Sequence, residues 1–285
     1  MNKLINLINY FLVKIILFIQ FIKYRILKKD FSKDRIELFK HKLNFYLHKI
    51  KKRKHIKVNF EYKFGSDIKE KMFKVDINKF TGFDGYYTFN GEGPLFKGAK
   101  EIYLKPNIKI EDSYLYYFYN TFQPKNYGEL YKLNLNNSLY KIPSFLQFKP
   151  WINSFADPKN IRKGLFGPCE FKDVEHRLIR IKNLFKNIRE LGYIPSEKDI
   201  IKGYILHSKD DFRFLVTSGH HRVAVLKVLN YLFPNQFNLV TVAFEENRCN
   251  LRFIDEKNID RWPAVVNNFC SKKDALEIFN KFFYT

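Results

Sequence analysis

The stretch Phe212–Leu232, FRFLVT-SGHHR-VAVLKVLNYL, decides the reading of this chain. Phe212–Thr217 is short and rich in aromatic and β-branched residues, the signature of a strand. Val223–Leu232 has apolar residues at helical spacing. Between them stand only Ser218, Gly219, His220, His221 and Arg222. Gly219 permits a sharp turn and lets a ligand approach the backbone. The first N–H groups of the following helix have no partner within it, and they favour an anion. Arg222, in the first turn, adds a planar fork that suits phosphate oxygens. His220 and His221 add donors or a proton shuttle. The expected product is a cradle for phosphate, sulfate or carboxylate. The plain alternative is a helix cap with a surface arginine and a buried histidine.

Outward from this box the elements alternate. Residues 173–191 predict a helix with Leu178, Ile181, Leu184, Phe185, Ile188 and Leu191 as its apolar face. Asp173 is placed to cap it and Gly192 to stop it. A strand over 200–206, a hairpin turn over 207–211 and a further strand over 239–244 surround the box. Ser271 and Asp274 have capping-box spacing, predicting a packing helix over 272–283. Upstream, residues 111–122 predict an aromatic helix capped by Ser113, with Tyr114, Tyr117 and Phe118 on one face. It reads as a core helix, with a ligand platform as the alternative. Residues 64–100 hold six of the twelve glycines and read as loops and short strands, with a tight turn at Asn90-Gly91. Residues 139–172, broken by four prolines, read as an irregular linker.

The fold class expected is therefore α+β, with a small mixed sheet and helices in the C-terminal half. The segments are an amphipathic helix (1–30), a basic helical segment (31–63), a loop-rich aromatic region (64–150) and the domain carrying the box (151–285).

Charge and composition bound the function. The chain has 285 residues and a formal net charge of +22. Residues 1–60 hold 16 basic and 3 acidic residues, so most of the excess lies at the N-terminal end. With 46% hydrophobic residues this is not a disordered polycation. Three widely spaced cysteines, Cys169, Cys249 and Cys270, exclude a disulfide-stapled secreted domain. Lysines outnumber arginines 39 to 12, as an A+T-rich coding sequence tends to write, so part of the charge is compositional.

The apolar run 4–22, LINLINYFLVKIILFIQFI, is interrupted by Asn6, Asn9, Lys14 and Gln20, which gather on one arc of a helical projection. A basic segment follows it directly. This pattern suits an anionic, cytoplasmic membrane face, reached by an in-plane helix or a single span. The alternative is packing against protein. No small-residue cleavage site follows the run, so a cleaved signal peptide is not expected. His41, His48 and His55 share a helical face crowded with lysines, which reads as a solvated basic face rather than a metal site.

The stretch 175–244 resembles the ParB/sulfiredoxin-like superfamily domain. The residues that carry the likeness are Gly192-Tyr193-Ile194-Pro195, the box Thr217-Ser218-Gly219-His220-His221-Arg222, and Ala224. Ser218 stands where many members have Asp. The wider pattern is also similar to proteins of unassigned activity from cell-surface polysaccharide loci, through Gln123-Pro124, Phe166-Gly167-Pro168, Trp262-Pro263 and the 275–279 helix.

The resemblance implies several activities. ParB-like nucleic-acid binding or nuclease action is the least expected, because 41 residues after Phe244 leave little room for a second DNA domain. Sulfinic-acid reduction needs a cysteine where His220 stands. The free-serine-kinase-like branch fits best. It implies a nucleotide (ATP, ADP and CTP are not distinguished) with Mg²⁺, held by Ser218, Gly219, His220, His221 and Arg222. Glu175, with His221, would do the proton chemistry, and Arg177 and Arg180 would hold the substrate. The expected function is phosphoryl transfer to a hydroxyl of a small molecule or surface-glycan precursor at a membrane surface. The alternative is a non-catalytic nucleotide- or phosphate-binding module that regulates a membrane partner. No metal ligand is assigned.

Overall fold

The computed structural model describes residues 72–82, 93–134, 136–137, 149–152, 169–196, 199–209, 211–234, 236–245 and 252–283. These belong to a unit spanning Glu61–Thr285. The apolar run 4–22, the basic segment 31–63, the spaced histidines, Asn90-Gly91 and Cys249 lie outside the described residues.

A mixed sheet organises this unit. Its strands are β1 (Met72–Asp76), β2 (Phe80–Thr81), β3 (Ile201–Ser208), β4 (Asp211–Ser218), β5 (Leu239–Phe244) and β6 (Phe253–Asp255). The order is β1-β5-β3-β4-β2, with β6 also on β3. β3 and β4 form an antiparallel hairpin at the centre. β5 pairs in parallel with Ile201–Gly203, and β6 pairs in parallel with Ile205–His207, so the two share one edge of β3. β1 runs antiparallel to β5 and β2 parallel to β4. The α+β class with helices in the C-terminal half is as expected. The loop-rich region 64–150 supplies two strands of the same sheet that residues 151–285 build.

Seven α-helices accompany the sheet among the described residues: α1 (Pro94–Leu104), α2 (Tyr114–Thr121), α3 (Tyr127–Tyr131), α4 (Phe171–Leu191), α5 (His220–Leu232), α6 (Pro263–Val266) and α7 (Lys272–Lys281). α1, α4 and α5 pack on one another. Ser113 caps α2 as expected, accepting from Tyr116 N–H, but the buried face is Leu115, Phe118 and Tyr119, and Tyr117 is exposed. α4 starts three residues earlier than a cap at Asp173 allows, with Glu170 at its N-cap. Gly192 stops it with φ 77°, a conformation that suits glycine. Its core stripe is Val174, Leu178, Ile181, Phe185 and Ile188; Leu184 and Leu191 turn away from the core.

The turn expected over 207–211 is shorter. Pairing runs on to Ser208 and Asp211, with Lys209 in a left-handed conformation at φ 50°. Polar HSKDD reads as loop, yet Asp211 is held by Lys79 (2.6 Å) and Arg213 (2.5 Å). These contacts keep a charged residue in the ladder.

The irregular linker also holds a core residue. Trp151 is fully buried, with Trp262, Phe279 and Phe282 edge-on at 5.3, 5.5 and 5.6 Å. Its Nε1–H donates to Tyr204 Oη at 2.9 Å, which satisfies both polar atoms inside the cluster. α7 closes this cluster. Its capping box is formed by Ser271 and Asp274 as predicted, and Ala275, Ile278 and Phe279 are its buried positions. Among the described residues no helix is long and apolar enough to cross a membrane.

Candidate functional site

β4 delivers the chain to Ser218, which is still paired with Lys202. Gly219 then turns it with φ 93° and ψ 17° and becomes the N-cap of α5, with no side-chain cap. A Cβ at Gly219 would sit 3.0 Å from Ile201 Cγ1 and 3.2 Å from its Cα. The turn is therefore both left-handed and pressed against β3, two reasons for glycine. The first N–H groups of a helix have no acceptor within it, and Gly219 has no side chain to cap those of α5.

His221 follows in the first turn. The residue keeps partial exposure, but its Nε2 is covered and has no hydrogen-bond partner. Its pKa is pushed down to about 3, first by burial and then by Arg177, Arg180, His220 and Arg222. Three guanidiniums thus disfavour the charged form of this imidazole. A buried polar atom without a partner costs stability, and cations gathered around it oppose its own protonation. An anion at this place would relieve both.

The arginines are held by different means. Arg177 comes from α4; its Nη1 donates to Tyr119 Oη at 3.2 Å and its guanidinium lies 4.8 Å from that ring. Tyr119, from the aromatic helix α2, therefore seats an arginine rather than a ligand. Arg222 pairs through Nη2 with the Asp199 carboxylate. Its side chain is 13% exposed against 68% for Asp199, so the guanidinium is fixed and the carboxylate is open to water. Tyr193 ties down the segment that carries Asp199. It donates to Thr241 O at 3.2 Å and accepts from Ile201 N–H at 3.4 Å. Burial raises the Tyr193 pKa, which keeps the hydroxyl able to donate.

A cleft of about 510 Å³ opens between α4, the 192–199 segment and the start of α5. Arg180, Arg222, Asp199 and Tyr193 line it, with Asn183 and Asn187 along α4. Of the residues expected from sequence, Arg180 and Arg222 line this cleft and Arg177, Ser218, Gly219, His220 and His221 do not; Arg177, Arg180 and Arg222 all depress the His221 pKa. Ser218, Gly219 and His220 form the turn that leads into α5. Glu175 is placed elsewhere. On a helix advancing about 100° per residue it lies roughly 140° around α4 from Arg180, and it does not line the cleft. The cleft does not bring Glu175 beside Arg180 and Arg222, where a base would have to reach an acceptor proton.

Asp199, Asn183 and Asn187 were not singled out from the sequence. Asp199 sits in a short polar loop with no periodic signal, 23 residues before the arginine it meets. The two asparagines fell on what reads as the polar face of a helix. Among the described residues no group of three His, Cys, Asp or Glu side chains is disposed to hold a metal ion. Comparison with protein-family models, with curated proteins and with solved structures finds no match.

Proposed function

We propose that this chain is a phosphate-recognising, nucleotide-binding module that acts at an anionic membrane surface and regulates a partner there. One observation carries the reading: Arg222, in the first turn of α5, lines one cleft with Arg180 of α4, beside His221, whose covered Nε2 has no partner. Guanidinium forks beside a helix N-terminus are the donor set of a phosphate site. The resemblance to the ParB/sulfiredoxin-like box supports a nucleotide as the bearer of that phosphate. The amphipathic run 4–22 and the basic segment behind it support the membrane surface.

Phosphoryl transfer to a hydroxyl of a small molecule or surface-glycan precursor is the second reading. It is favoured by Asp199, a carboxylate at the cleft beside Arg222. Incoming phosphate would take over Arg222 and release Asp199. The freed carboxylate would accept the acceptor's hydroxyl proton as its oxygen bonds to the γ-phosphorus. The bond from phosphorus to the bridging oxygen would break, and a nucleoside diphosphate would leave. In this reading Asp199 replaces Glu175 as base, and Mg²⁺ would arrive with the nucleotide.

A thermal-shift screen of the purified chain with ATP, ADP and CTP, each with Mg²⁺, tests the first reading. At least one should raise the melting temperature, and Arg222→Ala should remove the shift. No shift with any of them sinks the proposal. Turnover that is lost in Asp199→Asn while nucleotide binding persists would favour the second reading.

A further inference from the structure

We propose that the cleft continues past the arginines into a subsite for the base of a nucleoside phosphate, with Asn183 and Asn187 reading the base edge. The inference rests on the phosphate cradle argued above and adds the body of the ligand to it.

Size is the first argument. About 510 Å³ is far more than a phosphate fills, and it lies in the range of clefts that hold whole small molecules. The second is what lines the remainder. Ile179, Leu191 and Ile194 are 48%, 68% and 71% exposed, and all three line this cleft. Large aliphatic side chains gathered at that exposure provide a surface that a flat ring can cover. Leu184 belongs to the same wall, which explains why it and Leu191 leave the core stripe of α4.

Third, Asn183 and Asn187 stand one turn apart on the cleft face of α4, about 6 Å between their Cβ atoms. Both side chains are exposed and make no hydrogen bond to the described protein. Asparagine is a poor helix-interior residue, so the helix itself does not call for them. A side-chain amide presents a donor beside an acceptor, the complement of an amino group beside a ring nitrogen. An aliphatic phosphate would use the leucines and isoleucines but would lay hydrocarbon over both amides, which is unfavourable. The mixed wall thus fits a heterocycle with a phosphate better than a lipid phosphate or a bare polyphosphate.

The test is a titration series on the full chain by calorimetry, with ATP, CTP, tripolyphosphate and farnesyl diphosphate. At least one of ATP and CTP should bind ten-fold or more tightly than tripolyphosphate. The double variant Asn183→Ala/Asn187→Ala should lose that advantage and keep the tripolyphosphate Kd within about two-fold. Three outcomes overturn the subsite and leave the cradle standing: nucleotides that bind no better than tripolyphosphate, a double variant with unchanged nucleotide affinity, or farnesyl diphosphate binding tighter than both nucleotides. If neither tripolyphosphate nor any nucleotide binds, the cradle itself falls and the subsite falls with it.

Discussion

His221 provides a quantitative handle on the cradle. In the unfolded chain its imidazole titrates near 6.5, and in the folded protein near 3. The folded state therefore holds it neutral while the unfolded state takes up a proton. The contribution is intact above the unfolded value and is lost as pH falls from about 6.5 toward 3. Each pH unit in that window carries about 1.4 kcal/mol for one group. Between pH 6 and pH 4.5 this amounts to roughly 2 kcal/mol. For a unit of this size that is about 4–8 °C in Tm. The perturbation is His221→Gln, which places a non-titrating polar group there. Melting the wild type and the variant across pH 4.5–7.5 should show the wild type losing stability more steeply on the acid side by that amount. Saturating tripolyphosphate should flatten the wild-type slope, because an anion offsets the arginines and lets the imidazole protonate. Parallel Tm curves for wild type and variant would refute the electrostatic description of the site.

Other variants address the supports. Gly219→Ala forces a side chain into φ 93° against Ile201; it should cost about 1–2 kcal/mol in denaturant unfolding, and an unchanged midpoint would mean the turn relaxes freely. Asp199→Asn removes the carboxylate that occupies Arg222. Since Asp199 is largely exposed, pyrophosphate affinity should rise only two- to five-fold, and a fall would show that Asp199 assists binding. Deleting residues 1–30 should abolish co-sedimentation with anionic vesicles in low salt; retention would place the membrane contact elsewhere.

Much of the sheet and of the box was legible in the sequence, for local reasons. The aromatic and β-branched run 212–217, the glycine at 219 and the apolar run of α5 all agree with one another. Ser113, Gly192 and the Ser271–Asp274 pair mark helix ends through chemistry confined to a few residues. What was not legible was non-local. Trp151 lies among prolines and looks like linker, yet its partners come from Tyr204, Trp262 and α7. β1 and β2 are short, and their pairing with β5 and β4 is set by register far along the chain. At the site, Arg222 was visible from its place in the first helical turn. Asp199 was not, because only the fold brings it there. Glu175 shows the converse: it shares α4 with Arg180 but does not line the cleft.

The central claim is that the start of α5, with Arg222 and the arginines of α4, holds phosphate. Calorimetric titration of tripolyphosphate into the full chain tests it most directly, run on wild type and Arg222→Ala at two salt concentrations. The account predicts measurable binding by the wild type, at least ten-fold weaker in Arg222→Ala and weakened by salt. Equal binding by both proteins, or none by the wild type at low salt, would contradict it.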